Sequence, residues 1–379
     1  MPLFESPQEY LDYEECYYPA YIQELKDDLK KNLSTNKHNV YVVVPIHSSE
    51  PNLNKLLSQI GKLKIKNYNC GVVFYLNRGV GDPSFELLQN AIRRKFNNNL
   101  PLYIIEKTFD KKTTIGYIRK YVIDMLLLLT QGEPVIFLNL DADLEYIDPQ
   151  FVTSCFKLLK EDPFILGYGE AAVDPKFRKF PILHSLLQVY SAVEHEINSS
   201  TLEIMPVRTL GQCMAFSSSL YTKIGGFAAD IDLGEDLSFG LQIQDVFSKK
   251  NIRKLDGKIL FSHRRAVNSY LHGAPIFSSW QNFSNPSNRR SLNQWEIEDI
   301  SAQEEKYSEE YFFHDVELYF QYCVYERFPL YFSRYGQEHL SFLVAYDIFV
   351  KVLKELGYCF HVQQGIKYKD MQISLYRSL

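Results

Sequence analysis

Four times in its first 145 residues the chain enters a short, almost wholly apolar segment and leaves it through a stretch with helical spacing. The segments are NVYVVVPIH (39–47), CGVVFYLNRG (70–79), LPLYIIEK and PVIFLNLDAD. Between them stand PNLNKLLSQIGKL, SFELLQNAIRRKF and TIGYIRKYVIDMLLLLTQG, the last closed by Gly132. Strands apolar on both faces must be covered on both faces, and a helix between two of them lets them run parallel. The pattern predicts an α/β fold, a mostly parallel central sheet flanked by helices with right-handed crossovers. Pro45 is expected to stop the first strand. In such a sheet ligands bind beyond the carboxyl ends of the strands, which is where PIH, LNRG and DAD fall.

The remainder is less regular. Residues 8–36 read as one or two leading helices. After the fourth strand come the helices PQFVTSCFKLLKEDP and FPILHSLLQVYSAVEHEIN, then a short strand and helix in LGQCMAFSSSLYTKIGGF. GEDLSFGLQIQDVF opens a helix at its acidic end, and GKILFSHRR reads as a strand. Residues 282–296, NFSNPSNRRSLNQWE, read as a mobile polar loop. Residues 300–379 read as mainly helical and aromatic. The expected divisions are a helical lead (1–38), a central domain (39–275) and a C-terminal, mainly helical extension (276–379).

Composition narrows the function classes. A formal net charge of −5 argues against a generic nucleic-acid binder, which carries a basic excess. Cys16, Cys70, Cys155, Cys213, Cys323 and Cys359 form no Cys-x-x-Cys pair and suit reduced core thiols. The start, MPLFESPQEYLDYEE, is acidic and lacks the pattern of a secretory signal. The longest apolar runs are far shorter than a membrane span. A cytoplasmic protein is expected. The aromatic C-terminal third is the place to look for a peripheral membrane contact or a homo-oligomer interface.

VIFLNLDADLEY drives two carboxylates, Asp141 and Asp143, to the end of a buried strand. Asp-x-Asp alone is weak evidence, since about one such triplet is expected by chance in a chain of this length. A second, Asp230-Ile231-Asp232, stands in a loop. Position separates them. Two unit charges about 4 Å apart repel by roughly 4 kcal/mol at an effective dielectric of 20, and a divalent cation between them reverses the sign. Mg²⁺ and Mn²⁺ take oxygen ligands and combine one or two carboxylates with substrate phosphates. A solvated acidic turn is the plain alternative.

Five segments in order carry a resemblance to the family-2 glycosyltransferases of the GT-A fold, over roughly residues 39–275. VVVPIHSSEPNLNKLLSQI resembles the family's opening strand, proline turn and helix, with Pro45 and His47 in the turn. VVFYLNRGVGD resembles its second strand, with Asn77 where the family ordinarily has the acid that reads the base; uridine and guanosine both stay open. TTIGYIRKYVID resembles its glycine–arginine helix, with Gly116 and Arg119 at the matching positions. FLNLDAD resembles its metal motif. GQCMAFSSSLYTKIGGF…GEDLSFG resembles its acceptor-side block, with a Glu235-Asp236 pair.

The resemblance implies a nucleotide-sugar-binding half (39–145) and an acceptor half (146–275). It implies a nucleoside-diphosphate sugar, with UDP or GDP favoured, and a hydroxyl acceptor. Asp143 is the direct ligand of Mn²⁺ or Mg²⁺, and Asp141 touches the ribose or a metal-bound water. Arg119 faces the phosphates, Asp236 is the general base and Glu235 holds the acceptor. A third metal ligand is a histidine, His263 or His272, with His263 ranked first because it ends a strand; neutral imidazole suits Mn²⁺. Arg264 and Arg265 follow as candidates to clamp the diphosphate. The chemistry needs both halves. The cation neutralises the leaving diphosphate, and a carboxylate takes the acceptor's proton, typically for 10²–10⁴-fold in rate. Acids at a helix N-terminus are also ordinary capping groups. The Glu-Asp pair favours an inverting, hexosyl- or N-acetylhexosaminyl-transferring enzyme, although retaining enzymes share the fold. A nucleotidyltransferase is disfavoured, since PIHSSEPN has no Gly-rich basic signature. An inactive nucleotide-sugar binder is disfavoured by the presence of Asp141, Asp143 and Asp236.

Overall fold

Helices α1 (Pro7–Tyr17) and α2 (Pro19–Asn32) lead the chain. Ser6 caps α1 by accepting from Glu9 N, with proline at the first helical position. The alternation then runs β1 (Val40–His47), α3 (Leu53–Lys62), β2 (Cys70–Gly79), α4 (Glu86–Lys95), β3 (Leu102–Phe109), α5 (Ile115–Thr130) and β4 (Ile136–Leu140). It continues as β5 (Leu144–Ile147), α6 (Pro149–Glu161) and β6 (Leu166–Tyr168). α7 (Pro181–Ser199) intervenes before β7 (Cys213–Ser217), α8 (Ser218–Lys223), α9 (Glu235–Val246), β8 (Ile252–Lys254) and β9 (Ile259–Phe261). The computed structural model describes residues 3–32, 37–47, 53–63, 68–81, 84–96, 100–109, 113–207, 212–231, 234–279, 297–364 and 371–377. The expected mobile loop 282–296 lies outside them.

Two compact units emerge: Met1–Ala171 with Val207–Phe261, and Ala172–Pro206 with Ser262–Leu379. They do not follow the expected boundaries at 38 and 275. Tyr10, Leu11, Ile22 and Leu25 of the leading helices join the core around α5, which draws residues 1–38 into the first unit. Residues 172–206 and 262–275 fall in the second.

Among the described residues the first unit holds a seven-stranded sheet in the order β3-β2-β1-β4-β7-β6-β8. The four expected strands pair in parallel. β7 runs antiparallel to both β4 and β6, so the sheet is mixed on that side. β1 shows why the apolar runs are continuous. Tyr41 and Val43 enter one core, with α5 and the leading helices, while Val40, Val42, Val44 and Ile46 enter the other, with α3, α4 and α6. Each such side chain stabilises the fold by about 1.5–3 kcal/mol relative to exposure. Pro45 does not stop the strand. β1 runs on to His47, paired to Asn77 of β2. The β1–β4 ladder ends earlier, at Val43, so the missing amide hydrogen interrupts nothing on that side.

The second unit holds α7, α10 (Arg264–Leu271), α11 (Ile297–Glu304), α12 (Glu309–Tyr322), a π-helical turn (Cys323–Arg327), α13 (Phe328–Phe332) and α14 (Ser341–Glu355). Its core is pinned by Arg327, which grips Glu194 of α7 through Nη1–Oε1 (2.5 Å) and Nη2–Oε2 (2.9 Å). Glu304 closes the start of α7 by accepting from Ile182 N, and also accepts from Tyr270 OH at 2.5 Å. The C-terminal region is not all helix. β10 (Tyr358–Gln364) and β11 (Met371–Arg377) form an antiparallel pair, and their alternating side chains were hidden by the aromatic richness around them. The cysteines are free, with Cys70, Cys155, Cys213 and Cys323 buried. Among the described residues no helix is long and apolar enough to cross a membrane.

Candidate active site

The site forms in the first unit, at the carboxyl edge of the parallel strands. Asn77 ends the buried part of β2 and donates from Nδ2 to Ile46 O at 3.1 Å, tying the ends of β1 and β2 together. His47 is the exposed last residue of β1. Asp141 follows β4; its amide donates to Gln212 O at 2.9 Å, and its carbonyl accepts from Leu144 N at 3.3 Å. That turn leaves the Asp141 side chain 27 % exposed, whereas Asp143 is buried.

α5 and α9 meet against this edge. Thr114 caps α5 by accepting from Tyr117 N at 3.0 Å and donates to Ala229 O at 2.5 Å. Gly116 sits so close to the same loop that a Cβ there would meet Ala228 O at 2.2 Å and Glu235 Cβ at 3.3 Å. Glycine therefore sets how near the segment before α9 can come to α5. Gly234, at φ +84°, turns the chain into α9 and places Glu235 and Asp236 in its first turn. Glu235 is buried, and Asp236 is half-buried with Oδ1 accepting from Leu237 N at 2.8 Å.

Arg119, one helical turn beyond Gly116, joins the two sides. Its side chain is 2 % exposed. Nη2 donates to Asp141 Oδ1 at 2.7 Å, and Nη1 lies 3.3 Å from Glu235 Oε1. One buried guanidinium is thus shared by two carboxylates, Glu235 buried and Asp141 partly exposed. Burial pushes the Glu235 carboxyl up to about 7. Arg119 pulls it down, and Asp236 and Asp141 add to the rise. Burial pulls Arg119 downward, but Glu235, Asp141 and Asp236 outweigh it and hold the guanidinium above its ordinary value.

No family model and no curated protein sequence matches the chain. Solved structures similar to it include a mannosyltransferase from Pyrobaculum calidifontis, PcManGT, in complex with GDP-Man and Mn²⁺. It is 14 % identical with a TM-score of 0.40, over 90 % of this chain and 98 % of that one. S. aureus TarS 1–349 in complex with UDP-GlcNAc is 16 % identical with a TM-score of 0.40, over 89 % and 96 %. Glucosyl-3-phosphoglycerate synthase from Mycobacterium tuberculosis, with Mn²⁺, UDP and glucosyl-3-phosphoglycerate, is 15 % identical with a TM-score of 0.39, over 68 % and 82 %. Likenesses of this size are too slight to transfer an activity.

The structure brings Gly116, Arg119, Asp141 and Glu235 together, with Asp236 next to Glu235 and Asp143 two residues from Asp141. Pro45 is buried inside β1 rather than in a turn. His263 does not end a strand. It stands at the N-cap of α10 in the second unit, edge-on to Phe177 with ring centroids 5.4 Å apart, and Arg264 and Arg265 lie in that helix's first turn. His272 closes the same helix and donates from Nδ1 to Asn268 O at 2.8 Å. Among the described residues no group of three or more His, Cys, Asp or Glu side chains is placed to hold a metal ion. Of the second Asp-x-Asp, Asp230 is exposed and Asp232 lies outside the described residues. The resemblance placed Arg119 at the donor phosphates. The signal it passed over was the apolar all-round character of α5, which leaves an arginine nowhere to go but inside.

Proposed function

We propose that the protein transfers a sugar from a nucleoside-diphosphate sugar, with UDP or GDP as the nucleotide, to an acceptor hydroxyl. The supporting observation is the meeting of Arg119, Asp141 and Glu235, drawn from three separate sequence motifs, at the carboxyl edge of a parallel sheet. The donor set fits a hard divalent cation, Mn²⁺ or Mg²⁺. Asp143 and Asp141 offer carboxylate oxygens, and such ions complete their shell from water and substrate phosphates. When bound, the cation neutralises charge on the departing diphosphate.

The chain's own residues do the rest. Asp141, held by Arg119, presents its remaining edge toward the donor side. His47 and Asn77 border the nucleotide at the ends of β1 and β2. Asp236 takes the proton from the acceptor hydroxyl, and the Leu237 amide on its Oδ1 fixes the carboxylate's orientation at the start of α9. A single base acting from the acceptor side gives inversion at the anomeric carbon. Retention of configuration in the product, read by NMR, would remove Asp236 from that role.

A thermal-shift panel of UDP-, GDP- and dTDP-sugars, with and without Mn²⁺, tests the reading. A donor at about 100 times its dissociation constant stabilises the fold by roughly 2.7 kcal/mol. Stabilisation by one nucleotide class, larger with Mn²⁺, is expected; none with any donor overturns the proposal.

A further inference from the structure

We infer that Arg119 is a positioning residue, holding Asp141 from one side and Glu235 from the other, and that Glu235 acts through Arg119 rather than by touching the acceptor. The inference deepens the proposed function and rests on it for the identity of the ligands.

Burial carries the first part. The side chains of Arg119 and Glu235 are 2 % and 7 % exposed. A guanidinium so enclosed has almost no surface to offer a diphosphate, and a carboxylate so enclosed has almost none for a sugar hydroxyl. Geometry carries the second. Arg119 reaches Asp141 at 2.7 Å and Glu235 at 3.3 Å, so one planar fork spans the end of β4 and the start of α9. The contact with Glu235 does not meet hydrogen-bond geometry: Nη1 and Nε make no hydrogen bond among the described residues. The fork is fastened at Asp141 and looser at Glu235. Gly116 carries the third part, because a side chain one turn before Arg119 would push the Ala228 carbonyl away and widen the gap that Arg119 spans.

Groups that orient a metal-ligating carboxylate typically alter metal affinity or activity by about 10–100-fold when removed. The test uses the full chain, Mn²⁺ followed by electron paramagnetic resonance with UDP or GDP present, nucleotide affinity measured without metal, and melting temperatures. Arg119→Met is expected to weaken Mn²⁺ by about 10–100-fold while metal-free nucleotide affinity is unchanged. Arg119→Lys, which cannot span both carboxylates, is expected not to restore Mn²⁺ affinity. Glu235→Gln is expected to lower kcat and leave the acceptor KM unchanged.

Loss of metal-free nucleotide affinity in Arg119→Met would make Arg119 a phosphate ligand and overturn the inference. A rise in acceptor KM alone in Glu235→Gln would make Glu235 an acceptor ligand and overturn it as well. A parent that binds neither Mn²⁺ nor any nucleotide sugar would sink the proposed function instead. In that case the clasp is still decided by melting temperature. Arg119→Met combined with Asp141→Asn is expected to lose less than the sum of the two single losses. Additive losses would show that the two side chains do not support one another.

Discussion

Arg119 and Lys120 are neighbours on α5, about 100° apart around its axis, and they enter two different charge networks. Lys120 sits 2.9 Å from Asp124 and 3.1 Å from Glu14. Asp124, with no exposure, also accepts the hydroxyls of Tyr10 (3.0 Å), Tyr21 (2.9 Å) and Tyr221 (2.9 Å). Burial pulls Lys120 down, but Asp124 and Glu14 outweigh it and hold its ammonium above the ordinary lysine value. Every member of that network is answered, and its partners come from α1, α2, α5 and α8. Arg119, one residue away, has a single hydrogen bond and two donor nitrogens without one among the described residues. Buried polar groups are nearly always hydrogen-bonded, and a partly satisfied cluster is the less rigid one, so the Lys120 network is complete and the Arg119 cluster is not.

Four changes break or sharpen this contrast. Asp236→Asn is expected to lower turnover by about 10²–10⁴-fold, equivalent to roughly 3–5 kcal/mol of barrier, with the melting temperature little changed. Unaltered kcat in a donor assay would contradict it. Asp124→Ala leaves Lys120 buried without its main partner and is expected to cost about 3–5 kcal/mol of stability in urea unfolding, with Mn²⁺ affinity of the folded protein kept. Tyr21→Phe removes one hydroxyl donated to a carboxylate and is expected to cost about 1.5–3 kcal/mol by the same measurement.

The most gradual effect concerns pH. The Glu235 carboxyl is raised to about 7 in the folded chain, mainly by burial, so the folded state holds a proton that the unfolded state releases near the ordinary carboxylate value. Its contribution to stability is complete below that value and fades as pH rises toward 7. Comparing parent with Glu235→Gln isolates it: the parent's stability falls relative to the variant's across that window, by at most about 1.4 kcal/mol per pH unit. Parallel curves would show that Glu235 is ionised throughout.

The sheet was readable in advance because its strands are apolar on both faces, which few other arrangements tolerate. The common direction of β1 to β4 follows from that alternation, and the carboxyl edge follows from the direction; their order β3-β2-β1-β4 does not, since the same alternation serves other orders. β7 was not readable as antiparallel, since CMAFS is apolar on both faces whichever way it runs. Asp141 and Glu235 were singled out by their places on strand end and helix start. Their joint tether was not, because nothing local to either says that Arg119 stands between them. The lone acid in YVIDMLLLL was the missed sign of the second network, since an unaccompanied aspartate in a buried helix requires partners from elsewhere.

α5 also limits which changes of length the chain can survive. Both charge networks are read off a single helix, from Gly116 and Arg119 on one line and Lys120 and Asp124 on another. One residue inserted between Arg119 and Asp124 would turn everything beyond it by about 100° and shift it by about 1.5 Å. The anchor for the leading helices and the site would then no longer be in phase. The count of residues inside α5 is therefore as constrained as any of its side chains.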